Sequence, residues 1–291
     1  MTLALIVNPS AGGGRAGRAL PGVVQKLLDL GLEHRVLPTR SLEHARELAT
    51  EAIAAGEIAV AMGGDGLIAA VASAVAHTPG TLGVLPGGRG NDFARALGIP
   101  LEPRAACSVL ASGAVRVLDL GRAADATFIG IASCGFDSEA NRIANETRLI
   151  RGKLVYAYGA LRALAGYSPA TFTVTLDERP PHTFTGFTVA AANSSAYGGG
   201  MHLAPDASMD DGLLDVVMIA EMPKRHFLRL LPTVFSGTHV RQPEVKVARA
   251  RKLHVTADRP IVMFADGDPI GELPVTVEAQ PSAVRVLVPS S

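Results

Sequence analysis

Up to about residue 120, short apolar runs alternate with segments whose apolar positions recur at helix spacing. This alternation is typical of a parallel sheet covered by helices on both faces, because its strands are buried on both sides. The predicted strands are Leu3 to Val7, Val36-Leu37, Ile58 to Met62 and Leu82 to Leu85. The predicted helices carry apolar positions at Leu20 to Leu28, Leu42 to Ile53 and Leu67 to Val75, with Ser41 as an N-cap and Gly31 and Gly56 as stops.

Beyond about residue 121 the apolar positions recur mainly at every second residue, which predicts strands. These strands are 172–176, 213–219, 252–256, 274–277 and 284–288, and helical stretches at 153–165 and 224–235 interrupt them. The change of period predicts an α/β domain over residues 1–121 and a mainly-β domain over residues 122–291. The last strand is a candidate for returning to the first domain.

The composition is that of a globular protein with an aliphatic core, since 48% of the residues are hydrophobic, 4% are aromatic and Trp is absent. Lys plus Arg equals Asp plus Glu, so no nucleic-acid partner is expected. Cys107 and Cys134 are too few for a disulfide framework, and the eight histidines lack metal-binding spacing. The N-terminal apolar run is too short for a signal peptide and no run reaches membrane-spanning length, so we expect a cytoplasmic protein with peripheral membrane contact.

The segment Gly12-Gly-Gly14-Arg-Ala-Gly17 matches the GxGxxG pattern of dinucleotide-binding folds. Two features argue against such a fold. Four residues separate Val7 from the first glycine, and the second strand is followed by Pro38-Thr39-Arg40, without the acidic residue that would hold a ribose. A flexible turn is one alternative, and a loop whose backbone amides approach a phosphate is the hypothesis we favour.

Gly63-Gly64-Asp65-Gly66 follows a predicted strand, and no Walker A lysine motif follows any strand. Glycines at a strand end let the backbone approach a nucleotide closely. A carboxylate beside phosphates implies either a Mg²⁺ ion between them or a bond to a nucleotide hydroxyl. A surface turn is the alternative for this motif taken alone. A second loop, Gly87-Gly-Arg-Gly-Asn-Asp92, follows the next strand, and both loops are expected at the carboxyl edge of the sheet, where open α/β folds bind ligands.

Several motifs together resemble the catalytic domain of diacylglycerol kinases and sphingosine kinases. They occur in the family's order along almost the whole chain: Asn8-Pro9, Gly63-Gly-Asp-Gly66, Gly90-Asn-Asp-Phe-Ala-Arg95 with Leu97-Gly98, Asp119-Leu-Gly121, Asp211-Gly-Leu-Leu-Asp215 and Asp266-Gly-Asp-Pro269. The resemblance implies a phosphofructokinase-like α/β domain, a C-terminal β-sandwich, and ATP and Mg as cofactors, with the lipid bound in the cleft between the domains.

The resemblance also implies roles for individual residues. The expected nucleotide-binding residues are Asn8, Pro9, Gly12, Gly13, Arg15, Thr39, Gly63, Gly64, Asp65, Gly66, Gly88, Arg89, Asn91 and Asp92. Asp65, Asp92 and Asp119 are the expected members of a carboxylate and water network that organises Mg, and Asp211 is expected to hold a structural Mg together with nearby backbone carbonyls. Asp65 and Asp268 are the expected catalytic residues, with Asp268 in the place of the general base that accepts the lipid hydroxyl proton. A hairpin turn at Asp266-Gly267 that Asp268 merely decorates is the alternative.

This chain departs from the family pattern at four positions. Leu67 and Ala70 replace the usual Thr and Glu after the first glycine motif, and Arg89 replaces a Thr in the second. Arg89 either donates to phosphates or points to solvent. At the base position Asp268 replaces a Glu, and a reacting group misplaced by about 1 Å costs on the order of 100-fold in rate.

The predicted function is that of a Mg-ATP-dependent lipid kinase acting on diacylglycerol or a related lipid. The alternatives are an NAD kinase, whose family also has the Gly-Gly-Asp-Gly motif, and a nucleotide-binding regulatory module that has lost catalysis. Lys153, Arg162, Lys224, Arg225, His226 and Arg229 lie on predicted helices with Leu, Phe and Tyr residues. Those helices either rest on an anionic bilayer or are solvated. Monomer and homodimer are both left open.

Overall fold

The computed structural model describes residues 2–146, 162–164 and 166–290. The chain divides into two compact units, Met1–Leu120 with Pro281–Ser291, and Gly121–Gln280. Most of the helix predicted at 153–165, including Lys153, lies outside the described residues. Among the described helices, none is both long enough and apolar enough to cross a membrane.

The first unit is a parallel sheet with helices on both faces, as its apolar pattern predicts. The sheet order is β2-β1-β3-β4-β15, and all of these neighbours run parallel. The strands are β1 (Thr2–Val7), β2 (Glu33–Pro38), β3 (Ile58–Gly63), β4 (Thr81–Pro86), the start of β5 (Ala114–Ala123) and the end of β15 (Val275–Val288). The helices are α1 (Ala11–Asp29), α2 (Leu42–Ala54), α3 (Asp65–Val75), α4 (Asp92–Ala96) and α5 (Pro103–Ser112).

Local signals explain where these helices begin and end. The Ser41 hydroxyl accepts a hydrogen bond from the His44 N–H at 3.1 Å, which confirms Ser41 as the N-cap of α2. Gly31 and Gly56 adopt positive φ values of 68° and 72° just beyond α1 and α2. Helix α1 is bounded by Ala11 and Asp29, but Gly12, Gly13 and Gly14 have non-helical backbone angles, so its regular part begins at Arg15, before the predicted apolar stretch.

The second unit is an antiparallel β-sandwich. Its strands are the end of β5, β6 (Ala126–Phe128), β7 (Ile131–Gly135), β8 (Ala170–Leu176), β9 (His182–Ala192), β10 (Leu214–Ala220), β11 (Val245–Ala250), β12 (Lys252–Ala257), β13 (Val262–Ala265), β14 (Asp268–Glu272) and the start of β15. Adjacent residues of β10 point into different cores, since Val216 packs with Phe172 and Val217 packs with Phe187. Two helices, α6 (Phe136–Glu146) and α7 (Lys224–Leu230), pack on the core that contains Phe187.

Two predicted elements of the second half have different bounds in the structure. The helix predicted at 224–235 is α-helical only to Leu230 and continues as a 3₁₀ helix over Leu231–Ser236, because Pro232 has no N–H to donate within an α-helix. The strands predicted at 274–277 and 284–288 are one strand, Val275–Val288, which passes from the second unit into the first. A pause in the apolar pattern at Gln280-Pro281-Ser282 led to the prediction of two strands.

Candidate functional site

The predicted nucleotide-binding residues of the first unit follow the carboxyl ends of its parallel strands. Asn8-Pro9 follows β1, Thr39 follows β2, Gly64 follows β3 and Gly87 follows β4. Parallel strands present these ends at one edge of a sheet, which is where open α/β sheets bind ligands. The fold therefore gathers four sequence-distant loops at one edge.

The glycine segment after β1 forms a left-handed turn. Gly12, Gly13 and Gly14 have φ values of 62°, 71° and 83°, and helical dihedral angles resume at Arg15. Glycine adopts this backbone without the steric cost of a side chain. A Cβ on Gly12 would lie 2.5 Å from the Gly87 carbonyl oxygen, so this turn lies directly against the loop after β4. The Arg15 guanidinium donates to the Gly88 carbonyl at 3.0 Å and holds the two loops together.

The loops after β3 and β4 also meet, backbone against backbone. The Gly87 N–H donates to the Gly63 carbonyl at 2.7 Å. A Cβ on Gly88 would lie 2.5 Å from the Cα of Gly64, so glycine is required for this approach. The loop after β4 therefore contacts both other glycine turns at the carboxyl edge of the sheet, and these contacts are made by backbone atoms.

Asn91 has a structural role within this arrangement. Its side chain is buried, its φ is 54°, and its Oδ1 accepts the Gly88 N–H at 2.8 Å while its Nδ2 donates to the Gly88 carbonyl at 3.3 Å. Asn is one of the few residues that tolerate left-handed backbone. Asn91 thus shapes the turn, while the neighbouring Arg89 is exposed.

Asp65 and Asp92 form the acidic part of the site. A Cβ on Gly90 would lie 2.9 Å from Asp92 Oδ2 and 3.2 Å from Asp65 Oδ2, so both carboxylates lie beside Gly90. Burial, and then the charge of Asp92, raises the pKa of Asp65 to about 6, against the opposing hydrogen bond from the Phe93 N–H at 3.2 Å. A divalent cation at this position would relieve the repulsion between the two carboxylates.

The structure does not gather the three carboxylates of the predicted network, Asp65, Asp92 and Asp119, in one metal site. Within residues 2–146, 162–164 and 166–290, no three Asp, Glu, His or Cys side chains lie together as metal ligands. Asp119 is buried, and its Oδ1 accepts the Ser282 N–H at 2.7 Å, so it ties β5 to the returning C-terminal segment. The Asp65–Asp92 pair suits Mg²⁺ even so, because Mg²⁺ commonly binds one or two carboxylates and completes its shell with phosphate oxygens and water.

Two of the departures from the family pattern are packing residues of α3. Leu67 and Ala70 are 3% and 2% exposed, and both lie in the hydrophobic core of the first unit. A Cβ on Gly63 would lie 2.7 Å from the Leu67 Cδ2, so Leu67 fills the space beside the glycine turn. Leu67 and Ala70 therefore pack inside the first unit, and the surface of the glycine turn consists of backbone atoms.

In the second unit, Asp211 lies beside a positive charge. Its Oδ1 accepts the Leu213 N–H at 3.0 Å, and its Oδ2 lies 3.7 Å from an Arg249 guanidinium nitrogen. The same guanidinium lies 3.5 Å from Asp215 Oδ1, and burial raises the pKa of Asp215 in spite of that cation. The role of Asp211 as a ligand of structural Mg stays a prediction.

Asp268 is the first residue of β14 and follows a hairpin turn. Asp266 and Gly267 have φ values of 48° and 96°, which is the left-handed pair that a tight two-residue hairpin requires. Asp268 is exposed, yet the surrounding protein withdraws enough water from its carboxylate to raise its pKa above the ordinary value for Asp. An exposed carboxylate with a raised pKa is suited to accept a proton.

The position of this hairpin depends on a contact that the sequence did not indicate. The Asp266 carboxylate accepts backbone N–H bonds from Ile129, Gly130 and Ile131 at 2.7, 2.9 and 3.1 Å. The Asn193 side chain donates to the Ile129 carbonyl at 3.1 Å and so also holds this loop. The Asp-Gly pair signals a turn in the sequence, but no pattern reveals a partner more than a hundred residues away.

Asp266→Ala is expected to lower the free energy of unfolding by about 3 kcal/mol, because it removes the acceptor of three hydrogen bonds and places Ala in left-handed backbone. Urea unfolding of the purified protein measures this change. Asp266→Asn is the matched control, since Asn also tolerates left-handed backbone and keeps one acceptor oxygen. It should lower the free energy of unfolding by less than Asp266→Ala. Equal losses in the two variants would contradict the account of this contact.

Gly88→Ala is expected to weaken ATP binding about 10-fold or more, because the added methyl group must push the Gly64 backbone away, and such overpacking costs about 1–3 kcal/mol. Calorimetric titration with ATP measures the effect. Gly66→Ala controls for stability, since a Cβ there meets no atom within 4 Å and Ala favours the helical backbone of α3, so the unfolding temperature should not fall. Unaltered ATP affinity in Gly88→Ala would contradict a nucleotide site at these turns.

A hydrogen-bonded cluster around Asp137 in the second unit was not anticipated from the sequence. Asp137 Oδ2 accepts the Ser133 hydroxyl at 2.5 Å and the Tyr197 hydroxyl at 2.8 Å, and burial raises the pKa of Asp137. Tyr197 and Met201 bridge across the turn that contains the three glycines 198–200. Asp137 and Tyr197 are separated by 60 positions along the chain, so only the fold brings them together.

Comparison with known proteins identifies both halves of the chain. Residues 2–123 match the diacylglycerol kinase catalytic domain, and residues 130–288 match the YegS C-terminal NAD kinase beta sandwich-like domain. The crystal structure of a diacylglycerol kinase from Bacillus anthracis strain Sterne gives a TM-score of 0.76 at 19% identity and covers 99% of this chain and 96% of its own. An NAD kinase from Archaeoglobus fulgidus in complex with ATP gives 0.52 at 14% identity, covering 99% and 93%. The fold is therefore one that lipid kinases and NAD kinases share.

Curated relatives distinguish between the lipid kinases and the NAD kinases. A diacylglycerol kinase of Mycobacterium tuberculosis strain H37Rv is 35% identical over 291 residues, covering 98% of this chain and 94% of the relative. A diacylglycerol kinase of Bacillus subtilis strain 168 is 31% identical over 280 residues, covering 93% and 90%. The chain belongs to the diacylglycerol kinase family and is a kinase, which confirms the predicted family, fold class and enzyme class.

Proposed function

We propose that this protein is a Mg-ATP-dependent lipid kinase that transfers the γ-phosphate of ATP to a hydroxyl group of diacylglycerol or a related lipid. The observation that carries the proposal is the contact of the glycine turns at Gly12, Gly64 and Gly88 with Asp65 and Asp92 beside them. The relatives from M. tuberculosis and B. subtilis, which are named diacylglycerol kinases, support the choice of lipid.

The nucleotide phosphates are proposed to lie on the backbone amides of these turns. Phosphates suit exposed N–H groups at turns and helix N-termini, because the groups are already oriented and carry partial positive charge. Arg15 donates to the Gly88 carbonyl and Arg89 is exposed in the same loop. In this proposal both cations interact with the phosphate chain. Asn8 and Thr39, at the ends of β1 and β2, complete the proposed site.

Asp65 and Asp92 would hold Mg²⁺, which when bound supplies positive charge that stabilises the transferred phosphoryl group. In this proposal Asp268 accepts the proton of the lipid hydroxyl as that oxygen attacks the γ-phosphorus. Phosphoryl transfer requires mainly positioning and charge stabilisation, which suits backbone amides and carboxylates better than a covalent nucleophile. Because the substrate resides in membranes, peripheral association of a cytoplasmic protein with a bilayer is part of the proposal.

The experiment that tests this function incubates the protein with Mg²⁺ and labelled ATP and, separately, with diacylglycerol, sphingosine and NAD. We expect label in the diacylglycerol product, or in a related lipid, and none in NAD. Label in NAD alone would contradict the lipid assignment. ATP binding without transfer to any acceptor would favour a regulatory module.

A further inference from the structure

We infer that the exposed face of α7 docks on an anionic lipid bilayer. The α7 face is defined here as Lys224, Arg225, Leu228 and Arg229. This inference rests on the proposed function, because a lipid kinase must reach a substrate held in a membrane. It specifies which surface binds the membrane and that the bound lipids are anionic.

The α7 face is one side of an amphipathic helix. Its four residues are exposed and recur at i, i+1, i+4 and i+5, which places them on one side of a helix. Phe227 and Leu230 lie on the other side and are 2% and 6% exposed. A face of three cations around one Leu combines charge with apolar surface.

Packing beneath the helix fixes the direction of this face. The Phe227 ring stacks on Phe187 at a centroid distance of 4.2 Å and meets Phe136 edge-on at 4.7 Å. Aromatic pairs in these geometries contribute about 0.5–1.5 kcal/mol beyond the area they bury. The cations are therefore presented outward from a helix anchored in the core, which lowers the ordering cost of binding.

The charge around α7 departs from that of the chain as a whole. The whole chain has a formal net charge of zero, whereas residues 222–243, which lie between Glu221 and Glu244, contain Lys224, Arg225, Arg229 and Arg241 and no Asp or Glu. Each Lys or Arg close to an anionic membrane contributes about 1 kcal/mol to binding. This segment therefore favours anionic over neutral lipid.

Exposed apolar side chains in the same segment favour a bilayer over other anionic partners. Leu228 is 42% exposed, and Phe235, in the 3₁₀ helix that follows α7, is 48% exposed. Such side chains gain free energy when they enter the boundary between headgroups and acyl chains, while Arg stems extend toward the headgroups. A second copy of the chain is disfavoured as the occupant, since two α7 faces would bring like charges together.

The test measures cosedimentation with phosphatidylcholine vesicles that do or do not contain phosphatidylglycerol. We expect binding only with phosphatidylglycerol, and release by salt because of screening.

Arg225→Gln with Arg229→Gln should lower the partition coefficient roughly 30-fold, the equivalent of two contributions of about 1 kcal/mol. The double variant Leu228→Ser and Phe235→Ser should also bind less. Arg251→Gln with Arg285→Gln is the charge-matched control outside residues 222–243 and should bind like the parent.

Phosphorylation of a short-chain, monomerically dissolved diacylglycerol separates this inference from the proposed function. The Arg225 and Arg229 variant should keep that activity and lose activity on vesicle-embedded substrate. Unchanged vesicle binding in this variant, equal binding to neutral vesicles, or a changed oligomeric state in place of changed binding would each overturn the docking surface and leave the kinase assignment intact. Vesicle binding that depends on the α7 face, in a protein that phosphorylates no lipid, would overturn the function alone.

Discussion

Asp65→Asn is expected to reduce kcat for lipid phosphorylation by roughly 100- to 1,000-fold, the range observed when a group that stabilises transition-state charge is removed. The variant loses one of the two carboxylates beside Gly90 and with it half of the anionic charge available to Mg²⁺. A kinase assay across a Mg²⁺ titration measures the effect, and the Mg²⁺ concentration for half-maximal activity should rise.

The same variant should remain folded, and its stability provides an independent check. The pKa of Asp65 is raised from 3.8 to about 6, so between these values the folded protein binds more protons than the unfolded chain. The stability linked to this group is complete below about pH 4 and is lost as pH rises through about 6. Without Mg²⁺ at neutral pH, Asp65→Asn should therefore unfold at a higher temperature than the parent.

Asp29→Asn makes the same chemical change at the last residue of α1 and should alter neither activity nor unfolding temperature. If Asp65→Asn kept near-normal turnover, the assignment of the metal and nucleotide site would be wrong. If it lost activity only because it unfolded at a lower temperature, the account of its raised pKa would be wrong.

Asp268→Asn is expected to lower kcat roughly 100- to 10,000-fold while ATP binding is retained, because an amide cannot accept the hydroxyl proton. The pH profile provides the specific readout. Since the pKa of Asp268 is raised, the parent should lose activity as pH falls through that raised value, where the base becomes protonated. The residual activity of the variant should lack this acidic limb.

Two further variants serve as controls for this prediction. Asp268→Glu keeps a carboxylate but displaces it by one methylene, so it should retain more activity than Asp268→Asn and should keep the acidic limb of the pH profile. Glu272→Gln, at the other end of β14, removes an exposed carboxylate from the same hairpin and should have little effect. An effect of only a few-fold in Asp268→Asn would leave Asp268 as a turn residue.

Most of the first unit follows from local pattern. Apolar runs such as Leu3 to Val7 lie at 0% exposure in the sheet, and Ser41 caps α2 because short polar side chains satisfy helix N–H groups wherever they occur. The hairpin at Asp266-Gly267 was likewise visible, since few residue pairs tolerate two positive φ angles. The second half was less predictable, because β-strands depend on partners distant along the chain.

Residue type, spacing and motif order were sufficient to predict the family, the α/β and β-sandwich organisation, and the glycines and carboxylates of the proposed nucleotide site. The contacts between residues that are distant in sequence followed only from the folded structure. It set Gly88 against Gly64, turned Asn91 inward to shape its own loop, buried Leu67 and Ala70 in the core, and placed Asp119 on the Ser282 amide. It also gave Asp266 its three amide partners and left the α7 face exposed. The physical reason is that hydrogen bonds and close packing are satisfied by whichever groups the fold brings within about 3 Å, irrespective of their separation along the chain.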